Sequence, residues 1–136
     1  MPALAPSPVS GGRLLVADAD SELREILATA LAEVYEVEVA ETALEALEKW
    51  RTGGSAWQAI IFDPNLSEAG GVAFVRALRS TPATEGAALI SYAGTEVAYG
   101  AEALRAAGVD ACLWKPVRTR VILQRLQAIR GRKSPP

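Results

Sequence analysis

The chain contains no histidine and a single cysteine, and these two scarcities exclude several classes of function. Without histidine, the chain has no imidazole base, no imidazole metal ligand and no phosphohistidine of its own. One cysteine, Cys112, cannot form a disulfide framework, and its place in an apolar run indicates a reducing compartment, which we expect to be the cytoplasm. No apolar run approaches the roughly 20 residues that a membrane-spanning helix requires, so we predict no membrane partner.

The charges of the chain nearly balance, with 14 basic and 16 acidic residues and a formal net charge of −2. This balance gives no basic footprint for the whole protein, so we expect no direct nucleic-acid partner. Half of the 136 residues are apolar, which is enough for one domain with a packed core. We predict a domain over residues 12–130, a flexible tail over residues 1–11, and a C-terminal tail or linker start over residues 131–136.

Strand-like and helix-like patterns alternate five times along the chain. Short apolar runs predict buried parallel strands at residues 14–17, 59–62, 87–92 and 109–114. Apolar and acidic residues alternate from residue 35 to residue 40, which predicts a half-exposed edge strand. Because a helical pattern follows each strand, we predict an α/β fold with a parallel sheet and right-handed crossovers.

The predicted helices begin at residues that favour helix N-termini. Asp20 or Ser21 is expected to cap the first helix. Thr42 and Glu45 form a capping-box pattern at the second helix, and Thr95 is expected to cap the fourth.

Charged residues follow three of the predicted strands. Asp18 follows residues 14–17, Asp63 follows residues 59–62, and Lys115 with Pro116 follows residues 109–114. Open α/β sheets place their chemistry outside the carboxyl ends of such strands. We therefore expect carboxylates from two strands and a lysine from a third to converge on one pocket.

In order and spacing, these segments resemble the receiver domain of bacterial response regulators over roughly residues 13–130. Residues 13–20 resemble that family's first strand and acidic cluster, and residues 60–63 with Gly70-Gly71 resemble its acceptor strand and loop. Residues 106–116 resemble its fifth strand with the Lys-Pro signature. The resemblance implies a flavodoxin-like, doubly wound five-stranded (βα)5 sheet of order 2-1-3-4-5. It also implies a cis Lys115-Pro116 peptide.

The resemblance further implies a regulatory phosphoacceptor in a two-component phosphorelay rather than an enzyme. Asp63 would accept a phosphoryl group from a sensor histidine kinase or phosphotransfer protein, and Lys115 would contact that group and pair with Asp63 in the empty site. Mg²⁺ would be held by Asp18, Asp63 and the backbone carbonyl of Asn65. Asp20 would join them only if its loop turned inward, and it serves more readily as a helix cap. An output protein or domain would read the change, and a homodimer through the fourth helix, fifth strand and last helix is expected.

The chain departs from the family pattern at four positions around this site. Ala19 stands in place of the second of two adjacent acids, so Mg²⁺ binding is expected to be weak. Pro64, directly after the acceptor, has no N–H to donate. Ala93 replaces a hydroxyl residue, with Ser91 the nearest hydroxyl, and Cys112 replaces an aromatic switch residue. Since losing one preorganised donor costs about 2.7–4 kcal/mol in other enzymes, we predict a degenerate site with slow or absent phosphorylation.

Two other functions stay open on the sequence alone. A pseudo-receiver would act as a protein-interaction scaffold without phosphorylation, as Ala19, Pro64 and Ala93 favour. A flavin-binding flavodoxin would need a Ser/Thr/Gly-rich phosphate loop, whereas residues 18–22 are acidic. Trp114 also has two readings: it packs under the last helix, or it belongs to the contact surface formed by the fourth helix, fifth strand and last helix.

Overall fold

The computed structural model describes residues 12–94 and 100–133, so the predicted tail over residues 1–11 and the predicted cap Thr95 lie outside the described residues. Five strands alternate with five helices: β1 (Arg13–Ala17), α1 (Ser21–Leu31), β2 (Glu36–Ala40), α2 (Ala43–Gly53), β3 (Trp57–Phe62), α3 (Gly71–Arg79), β4 (Ala88–Ala93), α4 (Ala101–Ala107), β5 (Ala111–Trp114) and α5 (Thr119–Lys133). All strand pairs are parallel in the order β2-β1-β3-β4-β5, which confirms the predicted fold. None of the helices in the described part of the chain is long and apolar enough to cross a membrane.

Two helix N-termini confirm the predicted caps. The carboxylate of Asp20 accepts hydrogen bonds at 3.0 and 3.1 Å from two backbone amides in the first turn of α1. Thr42 Oγ1 accepts from the amide of Glu45 at 3.1 Å at the start of α2. The amide of Glu41 donates to Glu45 Oε1 at 2.7 Å. In an ordinary capping box this donor would be the amide of the cap residue, here Thr42, so the bond is shifted by one residue.

Element ends differ from the sequence-based boundaries by a few residues. β4 covers Ala88–Ala93, one residue later than predicted, and β5 begins at Ala111 rather than at residue 109. α4 ends at Ala107, and the φ of +126° at the following Gly108 lies in the region that glycine favours. α5 continues to Lys133, beyond residue 130, the domain end that the sequence predicts. The Lys115-Pro116 peptide is cis, as predicted.

Side-chain alternation along the strands builds one apolar layer on each side of the sheet. The layer beneath α1 and α5, which we call the α1–α5 face, includes Leu14, Val16, Ile61, Tyr92 and Leu113. The layer beneath α2, α3 and α4 includes Leu15, Ala17, Ile60, Phe62, Leu89 and the partly buried Cys112. Continuing the alternation one residue past β1 and β3, and past Trp114 in β5, places Asp18, Asp63 and Lys115 on the α1–α5 side. The three charged residues therefore emerge on the same side of the sheet.

Candidate functional site

Lys115 joins two carboxylates at the carboxyl edge of the sheet. Its Nζ atom lies 2.9 Å from Asp18 Oδ2 and 2.8 Å from Asp63 Oδ2. The side chains of Asp18, Asp63 and Lys115 are 6%, 17% and 23% exposed, so the group is partly open to solvent. The predicted convergence of three strand ends on one pocket is confirmed. We call these three residues the acidic triad.

The backbone ladder of the sheet positions each member of the acidic triad. The amides of Asp18, Asp63 and Lys115 donate to the last residues of β2, β1 and β4 at 3.1, 3.1 and 2.7 Å. Each residue therefore continues the pairing of its strand by one position before its loop begins. Because β4 lies between β3 and β5, the long side chain of Lys115 reaches past the end of β4 to both carboxylates.

The remaining carboxylate oxygens bind the loops that follow β1 and β3. Asp18 Oδ1 accepts from the amide of Asp20 at 2.9 Å, and Asp63 Oδ1 accepts from the amide of Asn65 at 2.8 Å. Each aspartate thus shapes its own loop with one oxygen and holds Lys115 with the other. This arrangement fixes both carboxylates before any ligand binds.

The triad carries one uncompensated negative charge, since two carboxylates face one ammonium. Partial burial alone would lower the pKa of Lys115, but hydrogen bonds to Asp63 and Asp18, together with their charges, outweigh it and raise the pKa above its ordinary value. Lys115 therefore stays protonated throughout the neutral range. The net negative charge of the pocket attracts cations.

Two side chains of the acidic triad have the chemistry of magnesium ligands. Mg²⁺ is commonly bound through one or two carboxylates, with waters and phosphate oxygens completing the shell. Asp18 and Asp63 supply two carboxylates, and Asn65 follows in the adjoining loop. Ala19 offers no side-chain oxygen, and the Asp20 carboxylate is engaged in capping α1. Within residues 12–94 and 100–133, no three acidic or cysteine side chains are grouped as a metal cage.

Among residues 12–94 and 100–133, the positions that depart from the family pattern are not replaced by groups that reach the acidic triad. Ser91 is 2% exposed and pairs with Cys112. It lies two residues before the end of β4, so it is buried within the strand and does not stand at the carboxyl edge of the sheet, where the acidic triad lies. Pro64 is buried and begins a short 3-10 turn. Burial raises the pKa of the Cys112 thiol, which keeps the sulfur protonated at neutral pH.

Two residues of the site escape sequence reasoning. Arg24 of α1 donates from Nη1 to the backbone carbonyl of Asp18 at 2.7 Å, and its Nη2 lies 3.7 Å from the carboxylate of Glu41. Its position six residues after Asp18, within the first turns of α1, is the only sequence signal for this contact. Tyr92 lies beneath Lys115, with the ammonium 5.8 Å from the ring centroid. A tyrosine in an apolar strand carries no such signal.

Trp114 is 39% exposed, so the prediction that it packs under the last helix is wrong. It follows Cys112 by two residues in β5, and Cys112 packs towards α2, α3 and α4 rather than towards α5. The exposed ring instead leaves an apolar surface beside the carboxyl edge of the sheet.

The fold and the acidic triad define a flavodoxin-like α/β domain with a charged pocket at the carboxyl ends of its strands. A family model described as the response regulator receiver domain matches residues 14–127. The chain therefore belongs to the receiver domain family of two-component signalling. Receiver domains are regulatory modules that interact with histidine kinases and output domains, and they commonly bind Mg²⁺ or Ca²⁺.

Known proteins are similar to this chain in sequence or in fold. The transcriptional regulatory protein CpxR homolog of Haemophilus influenzae is 29% identical over 127 residues, which cover 91% of this chain and 52% of that protein. The chain thus spans about half the length of this curated relative. A receiver domain protein from Clostridium thermocellum has a TM-score of 0.82 at 21% identity, covering 90% of this chain and 96% of that one.

One similar solved structure also contains bound groups. A response regulator from Burkholderia pseudomallei, solved with a phosphorylated aspartic acid, a calcium ion and citrate, has a TM-score of 0.75 at 24% identity. The match covers 89% of this chain and 69% of that one. At these identities, the two solved structures show the shared fold alone.

Proposed function

We propose that Asp63 of this receiver domain accepts a phosphoryl group from the phosphohistidine of a sensor kinase or phosphotransfer protein. The observation that carries the proposal is the Lys115 ammonium, held 2.8 Å from Asp63 Oδ2 and 2.9 Å from Asp18 Oδ2. The Burkholderia regulator of the same fold holds a phosphorylated aspartic acid, which supports the assignment.

In the proposed transfer, a carboxylate oxygen of Asp63 attacks the phosphorus atom. An O–P bond forms while the N–P bond to the donor imidazole breaks, and the leaving nitrogen takes up a proton from solvent. Lys115 exchanges its contact with Asp63 Oδ2 for one with a phosphoryl oxygen, which it binds as a compact positive charge. The ammonium is thus already placed where negative charge develops.

Asp18, Asp63 and the backbone carbonyl of Asn65 would hold the divalent cation. When bound, the cation supplies neutralisation of charge on the phosphoryl oxygens. Because Ala19 contributes no carboxylate, we expect weak cation binding. Ala19→Asp should raise the affinity for Mg²⁺ by about tenfold or more, since a third negative charge would face the ion. Mg²⁺ titration followed by amide chemical shifts measures this change, and equal affinity in the variant and the wild type would contradict it.

Phosphorylation is expected to be slow. The backbone donor at Pro64 is missing and no hydroxyl stands at Ala93, so two contacts to the phosphoryl oxygens are absent. The retained acidic triad supplies the nucleophile, the cation ligands and the charge that the transfer requires. The proposed site therefore has the groups that phosphorylation needs, but we expect the reaction to be slow.

The test is a reaction with acetyl phosphate, or binding of beryllofluoride, at millimolar Mg²⁺. The wild type should be modified slowly, Asp63→Asn should be inert, and Glu68→Gln should behave as the wild type. Glu68 is an exposed acid in the loop between β3 and α3, so this control removes one nearby charge without touching the triad. A wild type inert to both reagents, or an Asp63→Asn variant as reactive as the wild type, would defeat the phosphoacceptor role.

The second candidate is a pseudo-receiver that binds partners without phosphorylation. Alanine at positions 19 and 93 and proline at position 64 favour it, because each removes a group that the transfer uses. A scaffold predicts partner binding that is unaffected by Asp63→Ala. A phosphoacceptor predicts binding that depends on Asp63 and Mg²⁺.

The surface that reads the phosphorylation state is proposed to include α4, β5 and α5. Trp114 and Val121 are 39% and 38% exposed there, and they provide apolar contact area for a second copy or an output partner. Trp114→Arg should weaken self-association measured by analytical ultracentrifugation in the presence of beryllofluoride. A monomeric wild type under those conditions would remove the homodimer from the proposal.

A further inference from the structure

We infer that Tyr92 is a positioning residue that holds Lys115 at the acidic triad; this inference rests on the proposed phosphoacceptor function. Tyr92 lies in β4, one residue before the end of the strand, and is 3% exposed on the α1–α5 face. Tyr92 is not a partner in the hydrogen bonds described above for the carboxylates of Asp18 and Asp63. Its effect on the reaction runs through the segment that carries the lysine.

Residues 92 and 93 hold the segment from Lys115 to Val117 at both ends. The Tyr92 hydroxyl accepts a hydrogen bond from the amide of Val117 at 3.1 Å. The carbonyl of Ala93 accepts from the amide of Lys115 at 2.7 Å. Pro116, between them, has no N–H to donate. Two hydrogen bonds from the end of β4 therefore hold the turn that leads from β5 into α5.

The aromatic ring of Tyr92 adds a contact with the charged end of the lysine. Lys115 Nζ lies 5.8 Å from the ring centroid, near the outer limit for a cation–π interaction. In the free protein both carboxylates hold the ammonium. When a phosphoryl group enters, Lys115 must release Asp63 Oδ2. The hydrogen-bonded turn and the tyrosine ring then keep the ammonium within reach of the phosphoryl oxygens. Such preorganisation favours the charged state that develops at the acceptor.

Tyr92→Phe and Tyr35→Phe form a matched pair for testing this inference. Tyr92→Phe removes the hydroxyl and keeps the ring. Tyr35 is 1% exposed in the same core cluster, and its buried hydroxyl has no hydrogen-bond partner among the described residues. Both changes remove one buried tyrosine oxygen, but Tyr92→Phe alone breaks the bond to Val117.

The first measurement is hydrogen exchange of the Val117 amide in the absence of any ligand. Tyr92→Phe should speed this exchange about fivefold, and Tyr35→Phe should leave it unchanged. The second is the affinity for beryllofluoride at millimolar Mg²⁺, followed by amide chemical shifts. Tyr92→Phe should weaken it about fivefold, and Tyr92→Leu should weaken it further because the ring is also lost. Thermal unfolding checks that every variant is folded at the titration temperature.

A double-mutant cycle separates positioning of the lysine from general support of the core. If Tyr92 acts through Lys115, Tyr92→Phe should have no further effect on beryllofluoride binding in a Lys115→Ala background. A loss that persists in that background overturns the inference, as does an equal loss in Tyr35→Phe.

The outcomes also separate this inference from the proposed function. A wild type and a Tyr92→Phe variant that bind beryllofluoride equally well overturn the positioning role and leave the phosphoacceptor role standing. A wild type that does not bind at all overturns the phosphoacceptor role, and the inference falls with it. The exchange rate of the Val117 amide then still shows whether the hydrogen bond from Val117 to Tyr92 protects that amide.

Discussion

Replacing Lys115 by alanine should destabilise the protein because two carboxylates would face each other without a cation. The substitution removes two charge-assisted hydrogen bonds, of 2.8 and 2.9 Å. Hydrogen bonds to charged groups contribute about 1.5–3 kcal/mol each, although partial exposure of the lysine lets water screen the pair. We therefore expect a loss of about 2–3 kcal/mol in the free energy of unfolding, at or below the lower end of the summed range of about 3–6 kcal/mol.

Urea unfolding at neutral pH without divalent cations measures this loss. Asp63→Asn is the matched comparison, because it removes one carboxylate and leaves the contact of Lys115 with Asp18 in place. We expect a smaller change of about 1 kcal/mol for that variant, because it breaks one contact of this partly buried ion pair but also removes the excess negative charge of the site. Adding Mg²⁺ should stabilise Lys115→Ala more than the wild type, since the cation takes the place of the ammonium between the carboxylates.

The pH dependence identifies the cause of the loss. If facing carboxylates destabilise Lys115→Ala, its deficit should shrink at acid pH, where carboxylates take up protons. A deficit of equal size at acid and neutral pH would point instead to lost packing of the lysine stem. A variant as stable as the wild type in metal-free buffer would refute the reasoning outright.

One pH series and two substitutions probe the edge of the site and one helix cap. The raised pKa of Lys115 implies stabilisation that is complete below the ordinary lysine pKa of about 10.4 and is lost as pH rises through the higher folded value. Urea unfolding in alkaline buffers should therefore show the wild type approaching Lys115→Ala, and a constant gap would contradict this. Trp114→Phe should remove most acrylamide quenching of tryptophan fluorescence, because the other two tryptophans are at most 3% exposed; unchanged quenching would place the accessible ring elsewhere. Thr42→Ala breaks the bond to the Glu45 amide and should cost about 1 kcal/mol in urea unfolding. Thr52→Ala, an exposed position near the end of the same helix, is its control and should be close to neutral.

The convergence of the acidic triad could be predicted because strand geometry is periodic. Apolar runs mark the strands, side chains alternate between faces, and parallel strands end at the same edge of a sheet. Those rules suffice to bring Asp18, Asp63 and Lys115 together without knowledge of any loop. The caps at Asp20 and Thr42 were equally accessible, because capping depends on residues within one helical turn.

The contacts of Tyr92, Arg24 and Trp114 could not be predicted, because each depends on a loop or a helix placed by the whole fold. The hydroxyl of Tyr92 meets an amide 25 residues later in the chain. Arg24 reaches a carbonyl at the end of β1 only because α1 packs against that strand. For Trp114, alternation predicts the side of the sheet that it shares with Cys112, but it does not predict which helices cover that side. β5 is the last strand of the sheet, so its end lies beside solvent.

Stability alone does not account for the acidic triad, and this weighs against the scaffold. Apolar residues of similar volume usually stabilise a partly buried site as well as an ion pair does, because they avoid the cost of removing charge from water. Alanine stands directly beside the triad at positions 19 and 93, so small apolar residues fit at this edge. A scaffold would need nothing at Asp63 that alanine does not provide. Three converging charges are instead what a cation and a phosphoryl group require, and partner binding that needs Mg²⁺ and is lost in Asp63→Ala would distinguish a phosphoacceptor from a scaffold.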